Sequence, residues 1–254
     1  MNPILLRAAE YPFAKLLETK RRREQQGRVV IDFGMGDPRE PTPRFLRDAL
    51  CAAVPEISSY PTVRGEASLR RAIAGYVQRR YGVSVDPERH VLPVNGTKEG
   101  IFTSHLALID PQSRKRTVIT FEPSYPVYAA GASYAGGVVE AIGSHASSAT
   151  CRPGYPRRCA ARPHRAHVAQ LPAQPDRRGS AGGTVRAAAR ARAPARLRAV
   201  LGRGRRDIYF GKPSPSALMA ADAPDFKNVL CFHSCSKRSA TTATAAASSS
   251  AIRS

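Results

Sequence analysis

Residues 92–100, Leu-Pro-Val-Asn-Gly-Thr-Lys-Glu-Gly, pass from a short apolar strand through a glycine turn into a helix. This helix is predicted to continue to about Leu108, and a run rich in β-branched residues, Thr117 to Phe121, follows as a strand. A helix from about Pro126 and a strand at 137–142 continue the alternation. Strands that alternate with helices predict an α/β fold with a parallel sheet and right-handed crossovers.

Further elements flank this core on both sides. Thr42 and Pro43 are the cap and first residue expected of a helix. The apolar face of that helix would consist of Phe45, Leu46, Leu50 and Val54. A second helix is predicted over residues 66–81. Nearer the C-terminus, the apolar strand 228–232 runs directly into His-Ser-Cys-Ser-Lys at residues 233–237.

The net charge of the chain is unevenly distributed. Its 254 residues include 40 Lys and Arg against 19 Asp and Glu, a formal charge of +21, which taken alone indicates a nucleic-acid partner. Residues 144–206 hold 15 Arg and one acid, Asp176, and therefore +14 of that excess. With 42% hydrophobic residues, disorder of the whole chain is not expected. No apolar stretch approaches the ~18 residues that a membrane-spanning helix needs.

Residues 144–206 also differ from the rest in composition. They consist mainly of Arg, Ala, Pro and Gly, show no helical or strand period, and are interrupted by six prolines. We expect residues 144–206, and the Thr-, Ala- and Ser-rich tail 240–254, to be irregular or disordered. The sheet would then lack its central strands.

The cysteines and the N-terminus favour a cytoplasmic protein. Five irregularly spaced cysteines do not form a disulfide framework, and residues 1–13 lack the apolar region of a secretory signal. Four possible zinc ligands have a spacing that matches no common zinc pattern, so no metal site is predicted: Cys151, Cys159, His164 and His167. The Arg-rich tract has a single aromatic residue, so it offers nucleic acid only nonspecific attraction.

Three motifs follow predicted strands and carry candidate chemistry. Gly96 and Thr97 begin a helix, where backbone N–H groups favour a phosphate; a plain strand-to-helix turn is the alternative. Tyr125 could stack on a flat cofactor ring or pack within its loop. Lys237 lies beyond a hydrophobic strand among small hydroxyl residues, where it could be a Schiff-base amine or a solvated turn lysine.

Taken in order, five segments resemble the class I/II aminotransferases of the fold-type I pyridoxal-phosphate superfamily. They are Phe33-Gly-Met-Gly-Asp-Pro38, Tyr60-Pro-Thr-Val-Arg-Gly65 with Leu69-Arg70, Asn95-Gly-Thr97, Pro-Ser-Tyr-Pro-Val-Tyr at 123–128, and Ser234-Cys-Ser-Lys237. The resemblance covers residues 1–143 and 207–239, and looks closest to bacterial members that act on dicarboxylic or diamino acids, such as succinyldiaminopimelate aminotransferases. It implies a fragment of a three-layer α/β/α domain with a mainly parallel sheet.

The resemblance assigns roles to individual residues. Lys237 would be the Schiff-base lysine of pyridoxal 5'-phosphate and the acid and base that moves the substrate's proton. Gly96, Thr97 and Ser234 would hold the cofactor's phosphate, and Lys98 would add charge beside it.

Three more residues receive roles from the same resemblance. Tyr125 would stack on the pyridine ring, Tyr60 would reach the phosphate of the neighbouring subunit in a homodimer, and Gly36 would offer its backbone to the substrate carboxylate. The implied reaction moves an amino group from an amino acid to a 2-oxo acid.

Parts of the family's site are missing from the sequence. The family has an Asn-Pro-x-Asn-Pro-type loop for the cofactor's 3'-oxygen, and an Asp with Tyr three residues on for the pyridine nitrogen. Both should fall within 144–206, where Asp176 lacks that context, and Ala245 stands where the family has Gly-x-Arg. We hypothesise that 144–206 is an out-of-frame translation, with the frame restored near Asp207 and lost again after Ser239. The chain is expected to be truncated and impaired or inactive in amino transfer.

The expected organisation has five parts. Residues 1–45 would be the N-terminal segment of the small domain, and 46–143 the first half of the large cofactor-binding domain. Residues 144–206 would be the aberrant tract, 207–239 the segment ending at the lysine, and 240–254 a low-complexity tail. Two alternatives stay open at this point: a basic protein that binds nucleic acid nonspecifically, and a pseudogene product without function.

Overall fold

The structure is a computed structural model that describes residues 12–34, 36–57, 60–114, 116–122, 124–143, 166–170, 198–202, 209, 211, 213, 216–219, 226, 229–241 and 247–249. The chain divides into two units, Met1–Pro41 and Thr42–Ser254. In the first unit, helix α1 (Pro12–Gln25) is followed by an extended segment. Lys20 Nζ lies 2.8 Å from Asp32 Oδ2 and ties that segment to α1.

The second unit contains alternating helices and strands. Its elements are α2 (Arg44–Ala52), α3 (Ala67–Tyr81), β1 (Leu92–Val94), α4 (Thr97–Leu108), β2 (Thr117–Glu122), α5 (Val127–Tyr134), β3 (Val138–Gly143), β4 (Ala166–Gln170), β5 (Arg198–Gly202), a 3-10 turn (Ala217–Met219), β6 (Val229–Ser234), α6 (Cys235–Arg238) and β7 (Ala247–Ser249).

The strands form one mixed sheet in the order β1-β7-β6-β5-β4-β2-β3. Strand β7 is antiparallel to both of its neighbours, and the pairs from β6 to β3 are parallel. The predicted α/β fold with a mainly parallel sheet is therefore confirmed. Because β2, β4, β5 and β6 point the same way, their carboxyl ends meet at one edge, where ligands bind in open α/β sheets.

Apolar side chains cover both faces of the sheet. Strand β6 alternates between them, since Val229 and Cys231 belong to one buried cluster and Leu230 and Phe232 to the other. Helix α3 packs on the first face through Val77 and Tyr81, together with the 3-10 turn. Helices α4 and α5 cover the second face through Ile101, Val127, Tyr128 and Ala132. The result is the three-layer α/β/α arrangement that the resemblance implied.

The expectation that 144–206 and 240–254 are irregular is wrong at three places. Ala166–Gln170 and Arg198–Gly202 are β4 and β5, the strands that lie between β2 and β6, and Ala247–Ser249 is β7. The sheet therefore has its central strands. Strands β4 and β5 are five residues each, too short to show a period against an Arg- and Pro-rich background. They supply backbone groups that β2 and β6 would otherwise leave unpaired.

The start of α2 also differs from the prediction. Pro43 occupies the N-cap and α2 begins at Arg44, so Thr42 does not cap the helix. Instead, Thr42 Oγ1 donates to the carbonyl oxygen of Ala240, 2.5 Å away. No helix in the described part of the chain is long and apolar enough to span a bilayer.

Candidate active site

The candidate site is built on the pairing of β1 and β6 with the same strand. Val94 at the end of β1 and Ser234 at the end of β6 both pair with Ala247 of β7. The turn that follows β1 and the turn that carries Lys237 therefore lie two strands apart, about 10 Å, at one level of the sheet. The sheet thus brings together two of the motifs singled out from the sequence.

The first of these motifs is the N-terminus of α4. Gly96 is its N-cap with φ 131°, a backbone conformation that favours glycine, and no side chain caps the first N–H groups. Gly96 and Thr97 are half-buried, whereas Lys98 and Glu99 are exposed. The first N–H groups of a helix, with the positive end of the helix dipole, form a ready binding site for an anion.

A close approach between α4 and β6 positions that N-terminus. A Cβ added at Gly100 would lie 2.7 Å from Phe232 Cε1 and 3.0 Å from Val94 Cγ2, so the first turn of α4 rests directly on β6. Ser234 is two residues beyond Phe232 and points to the same face of the sheet. The Ser234 hydroxyl and the α4 N-terminus therefore share one side of the sheet.

The second motif is the short helix α6, which contains Lys237. Ser234 is its N-cap, and Ser234 Oγ accepts from the backbone N–H of Ser236 at 3.1 Å. The two hydroxyl oxygens, Ser234 Oγ and Ser236 Oγ, are 2.9 Å apart. Thr241 Oγ1 donates to the carbonyl oxygen of Cys235 at 3.2 Å and closes the turn from the other side. Lys237 itself is half-buried.

The two tyrosines after β2 have different surroundings. Tyr128 is buried in α5, with its ring centroid 6.2 Å from that of His105, and belongs to the core. Tyr125 is 36% exposed and lies at the carboxyl edge of the sheet, just before α5. Of the pair, Tyr125 is the one available to a ligand.

Tyr60 is not brought to this edge by the described contacts. Tyr60 is 99% exposed. Gly36 belongs to the first unit of the chain. Of the four residues in the rejected zinc pattern, Cys151, Cys159 and His164 lie outside the described residues. In the part of the chain that is described, no group of three or more His, Cys, Asp or Glu is arranged to hold a metal ion.

The loop of Tyr60 is anchored by an arginine to which sequence reasoning gave no role. Arg70 is buried, and its guanidinium donates to Glu88 Oε1 at 2.8 Å and Oε2 at 2.9 Å. It also donates to the carbonyl oxygens of Arg64 and Gly65. A Cβ at Gly65 would lie 2.7 Å from Pro93 Cγ of β1, so the same loop contacts the strand that leads to Gly96.

A ring cluster beside α6 was also missed. The rings of Tyr76, Tyr81 and His233 have centroids 5.6–6.1 Å apart. The guanidinium of Arg238 lies 4.2 Å from the centroid of Tyr76. The signal in the sequence was the i, i+5 tyrosine pair on a helix and a His one residue before the serine cap, but neither predicts contact without the sheet order.

The carboxyl ends of β4 and β5 complete this edge of the sheet. They are Gln170 and Gly202, and neither carries a carboxylate. The acid that the family uses at the pyridine nitrogen is therefore not supplied by these strand ends.

Comparison with known proteins agrees with this geometry. The family model of aminotransferase class I and II matches residues 28–148. Residues 28–148 are therefore similar to class I and II aminotransferases. The matched segment ends within five residues of position 143, after which the Arg-rich composition begins.

Curated relatives match about half of the chain. An LL-diaminopimelate aminotransferase of Aquifex aeolicus is 40% identical over 129 residues, which are 50% of this chain and 33% of the relative. The glutamate-pyruvate aminotransferase AlaC of Escherichia coli is 37% identical over 138 residues, 54% of this chain and 33% of the relative. The matches thus span about a third of the length of these aminotransferases.

Solved aminotransferase structures share the fold over nearly the whole chain. An aminotransferase from Neisseria meningitidis superposes with a TM-score of 0.82 at 23% identity, covering 99% of this chain and 65% of that one. An aspartate aminotransferase from Thermotoga maritima gives 0.82 at 19% identity, covering 99% and 66%. The chain therefore has the aminotransferase fold, including β4 and β5, which lie beyond the residues that the family model matches.

Proposed function

We propose that this chain binds pyridoxal 5'-phosphate covalently through Lys237, as part of an enzyme that moves an amino group from an amino acid to a 2-oxo acid. The observation that supports it is the shared pairing of Val94 and Ser234 with Ala247, which sets an anion-binding helix N-terminus beside a half-buried lysine. Class I and II aminotransferases depend on this cofactor.

The residues present fit the phosphate end of the cofactor. Gly96 leaves the first N–H groups of α4 without a side-chain cap, and Thr97 and Ser234 supply hydroxyl groups on the same side of the sheet. Lys98 is exposed one residue into the helix and adds positive charge. Tyr125, which follows β2 at the carboxyl edge of the sheet, offers a ring face to an aromatic ligand.

Lys237 would do two tasks in the reaction. It would anchor the cofactor before substrate binds, and once released its amine would move a proton between the substrate Cα and the cofactor. The bound cofactor supplies an electron sink for the charge that this proton leaves behind. The cap from Ser234 to Ser236 fixes the backbone from which Lys237 extends.

We further propose that amino transfer by this chain is weak. Family members hold the proton of the pyridine nitrogen with an aspartate, and the adjacent strand ends here are Gln170 and Gly202. Without that acid the ring is a poorer electron sink. Attachment to Lys237 does not need the acid, so binding and turnover should separate in this protein.

Borohydride reduction tests both statements. The purified full chain is incubated with pyridoxal phosphate, reduced and digested, and the modified lysine is located by mass spectrometry. We expect modification concentrated on Lys237, lost in Lys237→Ala and retained in the matched control Lys20→Ala. Equal modification of several lysines would refute the binding proposal. Turnover near the roughly 10 per second typical of enzymes would refute the proposed weakness.

The substrate and assembly are proposals that rest on the relatives and on surface composition. Several matched relatives are named LL-diaminopimelate aminotransferases, which supports a diamino dicarboxylic acid as amino donor of the whole enzyme. We propose a homodimer because α2 buries none of its own residues and large apolar side chains are exposed from residue 45 to 63. Tyr60 lies in that stretch and would reach the partner's cofactor. A cytoplasmic location suits such an enzyme.

A further inference from the structure

We infer that Arg238, stacked over Tyr76, is a positioning residue for Lys237. This rests on the proposed function, since it concerns the lysine that would bind the cofactor. The evidence is a set of contacts on the face of the sheet opposite the Ser234 hydroxyl.

The first step is the alternation of side chains along β6. Cys231 packs in the cluster of α3, so His233, two residues on, faces α3 as well. Its ring centroid lies 6.1 Å from that of Tyr76 and 5.6 Å from that of Tyr81. The end of β6 is therefore held against α3 by three rings, immediately before the turn that contains Lys237.

The second step is the return of Arg238 to the same rings. The Arg238 guanidinium carbon is 4.2 Å from the Tyr76 centroid, well inside the range of a cation–π contact. Arg238 Nη2 also lies 3.4 Å from Cys235 Sγ, which closes the helix α6 on itself. Consecutive helical residues point about 100° apart, so Arg238 can reach α3 while Lys237 is directed elsewhere.

The third step is that α6 cannot hold its shape alone. A helix of four residues has almost no intrinsic stability, so its geometry depends on what fixes its two ends. Ser234 fixes the first end through Ser236 N–H, and Arg238 fixes the last end through Tyr76. Lys237 lies between these two fixed points, which therefore limit where its amine can lie.

The test compares variants of the full chain by the rate at which pyridoxal phosphate becomes fixed on Lys237 by borohydride. Arg238→Gln and Tyr76→Leu should each slow fixation about fivefold, because each removes one partner of the cation–π contact. Arg238→Lys and Tyr76→Phe keep a cation and a ring, and should stay within about twofold of the unaltered chain. Arg79→Gln removes an exposed arginine of the same helix α3 and should change nothing.

A second measurement needs no cofactor. Alkylation of Cys235, located by mass spectrometry, should be about fivefold faster in Arg238→Gln and Tyr76→Leu, because the turn is released from α3. Unchanged fixation and unchanged alkylation in these two variants would overturn the inference, as would failure of Arg238→Lys and Tyr76→Phe to restore both rates. If the unaltered chain is not fixed at Lys237, the proposed function fails, and the alkylation rates alone decide the inference.

Discussion

Arg70 and Glu88 form an ion pair in which one guanidinium nitrogen contacts both carboxylate oxygens. Arg70 Nη2 lies 2.8 Å from Glu88 Oε1 and 2.9 Å from Oε2. Arg70 is buried at the start of α3, whereas the Glu88 side chain is half-exposed. Because the same guanidinium holds the carbonyl oxygens of Arg64 and Gly65, the pair joins α3, the loop of Tyr60 and the segment before β1. The buried Arg70 side chain thus holds together the segments that lead to the candidate site.

Replacing Arg70 with Met should destabilise the protein and loosen that loop. The substitution keeps the bulk but leaves two backbone carbonyls without their donor, so we expect the thermal midpoint to fall by about 5 °C. Proteolysis at Arg64 should become faster in the same variant. Arg71→Met, an exposed neighbour on α3, is the matched control and should leave both measurements unchanged.

The same pair predicts an acid-sensitive stability. The hydrogen bond from Arg70, and next its positive charge, lower the pKa of Glu88 from its ordinary 4.5. A carboxyl with a depressed folded-state pKa stabilises the protein above its unfolded pKa, and that stabilisation is lost as the pH falls through the folded value. Denaturation midpoints from pH 6 to pH 3 should therefore fall less in Glu88→Gln than in the unaltered chain. Parallel curves would contradict this.

Gly100 should be intolerant of a single added methyl group. Its missing Cβ would lie 2.7 Å from Phe232, so Gly100→Ala must push α4 off β6, at a cost of about 1–3 kcal/mol. The variant should also bind pyridoxal phosphate more weakly, since Ser234 and Gly96 would move apart. Gly75→Ala is the control, because its Cβ would meet only the flexible end of Arg79 and alanine favours a helix by about 1 kcal/mol. Equal stability of the two variants would refute the close approach.

His105 predicts a second loss of stability on acidification, which begins at a higher pH than that of Glu88. It is fully buried in α4, with Nδ1 2.7 Å from the carbonyl oxygen of Ile101, and burial lowers its pKa below 6.5. The unfolded chain then binds a proton that the folded chain does not, so stability falls as the pH drops below 6.5. His105→Met should flatten the dependence of the urea midpoint between pH 7 and pH 5. An unchanged slope would show that other histidines carry it.

The proposed dimer makes a prediction about α2 and the segment after it. Leu50 and Val54 are 52% and 68% exposed, and a charge on either should oppose burial against a second copy. Leu50→Glu and Val54→Glu should lower the dimer fraction in sedimentation at micromolar protein. Leu106→Glu alters an equally exposed leucine on α4 and should leave the dimer intact. A monomer in the unaltered chain at every concentration would rule the dimer out.

The sequence predicted those elements whose local signals agree with the fold. Strand-to-helix turns at Gly96 and Tyr125 and the apolar strand before Ser234 lie where the periodicity placed them. The apolar face of α2 stays open to solvent in the described part of the chain, since Phe45 and Leu50 are 70% and 52% exposed. Helical periodicity reports that a face is apolar and not what will cover it.

Contacts between distant segments could not be predicted in the same way. The ring cluster of Tyr76 and His233 and the anchoring of Tyr60's loop by Arg70 depend on which strands are neighbours. Strands β4 and β5 were missed because backbone pairing, rather than side-chain pattern, holds them between β2 and β6. The motifs at the strand ends were therefore predictable from the sequence, whereas the contacts that support them were not.

The out-of-frame hypothesis makes a prediction about the gene that the protein sequence already restricts. Every Gln codon ends in AA or AG, while Leu codons begin with C or T and Pro codons with C. Suppose that each shifted codon consists of the last two nucleotides of one residue's codon and the first nucleotide of the next residue's codon. The shifted codons at the junctions 170/171 and 174/175, which span those pairs of residues, must then encode Asn or Ser. In the other shifted frame they can encode only Thr, Ala, Ile or Val. In the first of these frames, the junctions 172/173 and 175/176 can both encode Pro.

The same shifted frame permits an acid at the end of β5. The junction of Gly202 and Arg203 reads G-N-C or G-N-A, which includes Asp among Val, Ala, Gly and Glu. Gln170 and Gly202 are the last residues of β4 and β5, at the sheet edge to which β6 delivers Ser234. The amide and the acid would therefore appear at two neighbouring strand ends beside Lys237.

We expect the gene to read Pro-x-Asn-Pro across residues 172–176 and Asp at 202/203 in that one frame. After Thr242, the opposite shift should give Gly-x-Arg, since the junctions 242/243 and 244/245 both read N-G-C, which encodes Gly, Arg, Ser or Cys. Sequencing the DNA on both strands checks all three segments at once. A stop codon in the first frame between 144 and 206, or Ser at 174/175, would contradict the hypothesis. A reading frame repaired over 144–206 alone should then raise turnover, because it would supply the strand-end amide and acid.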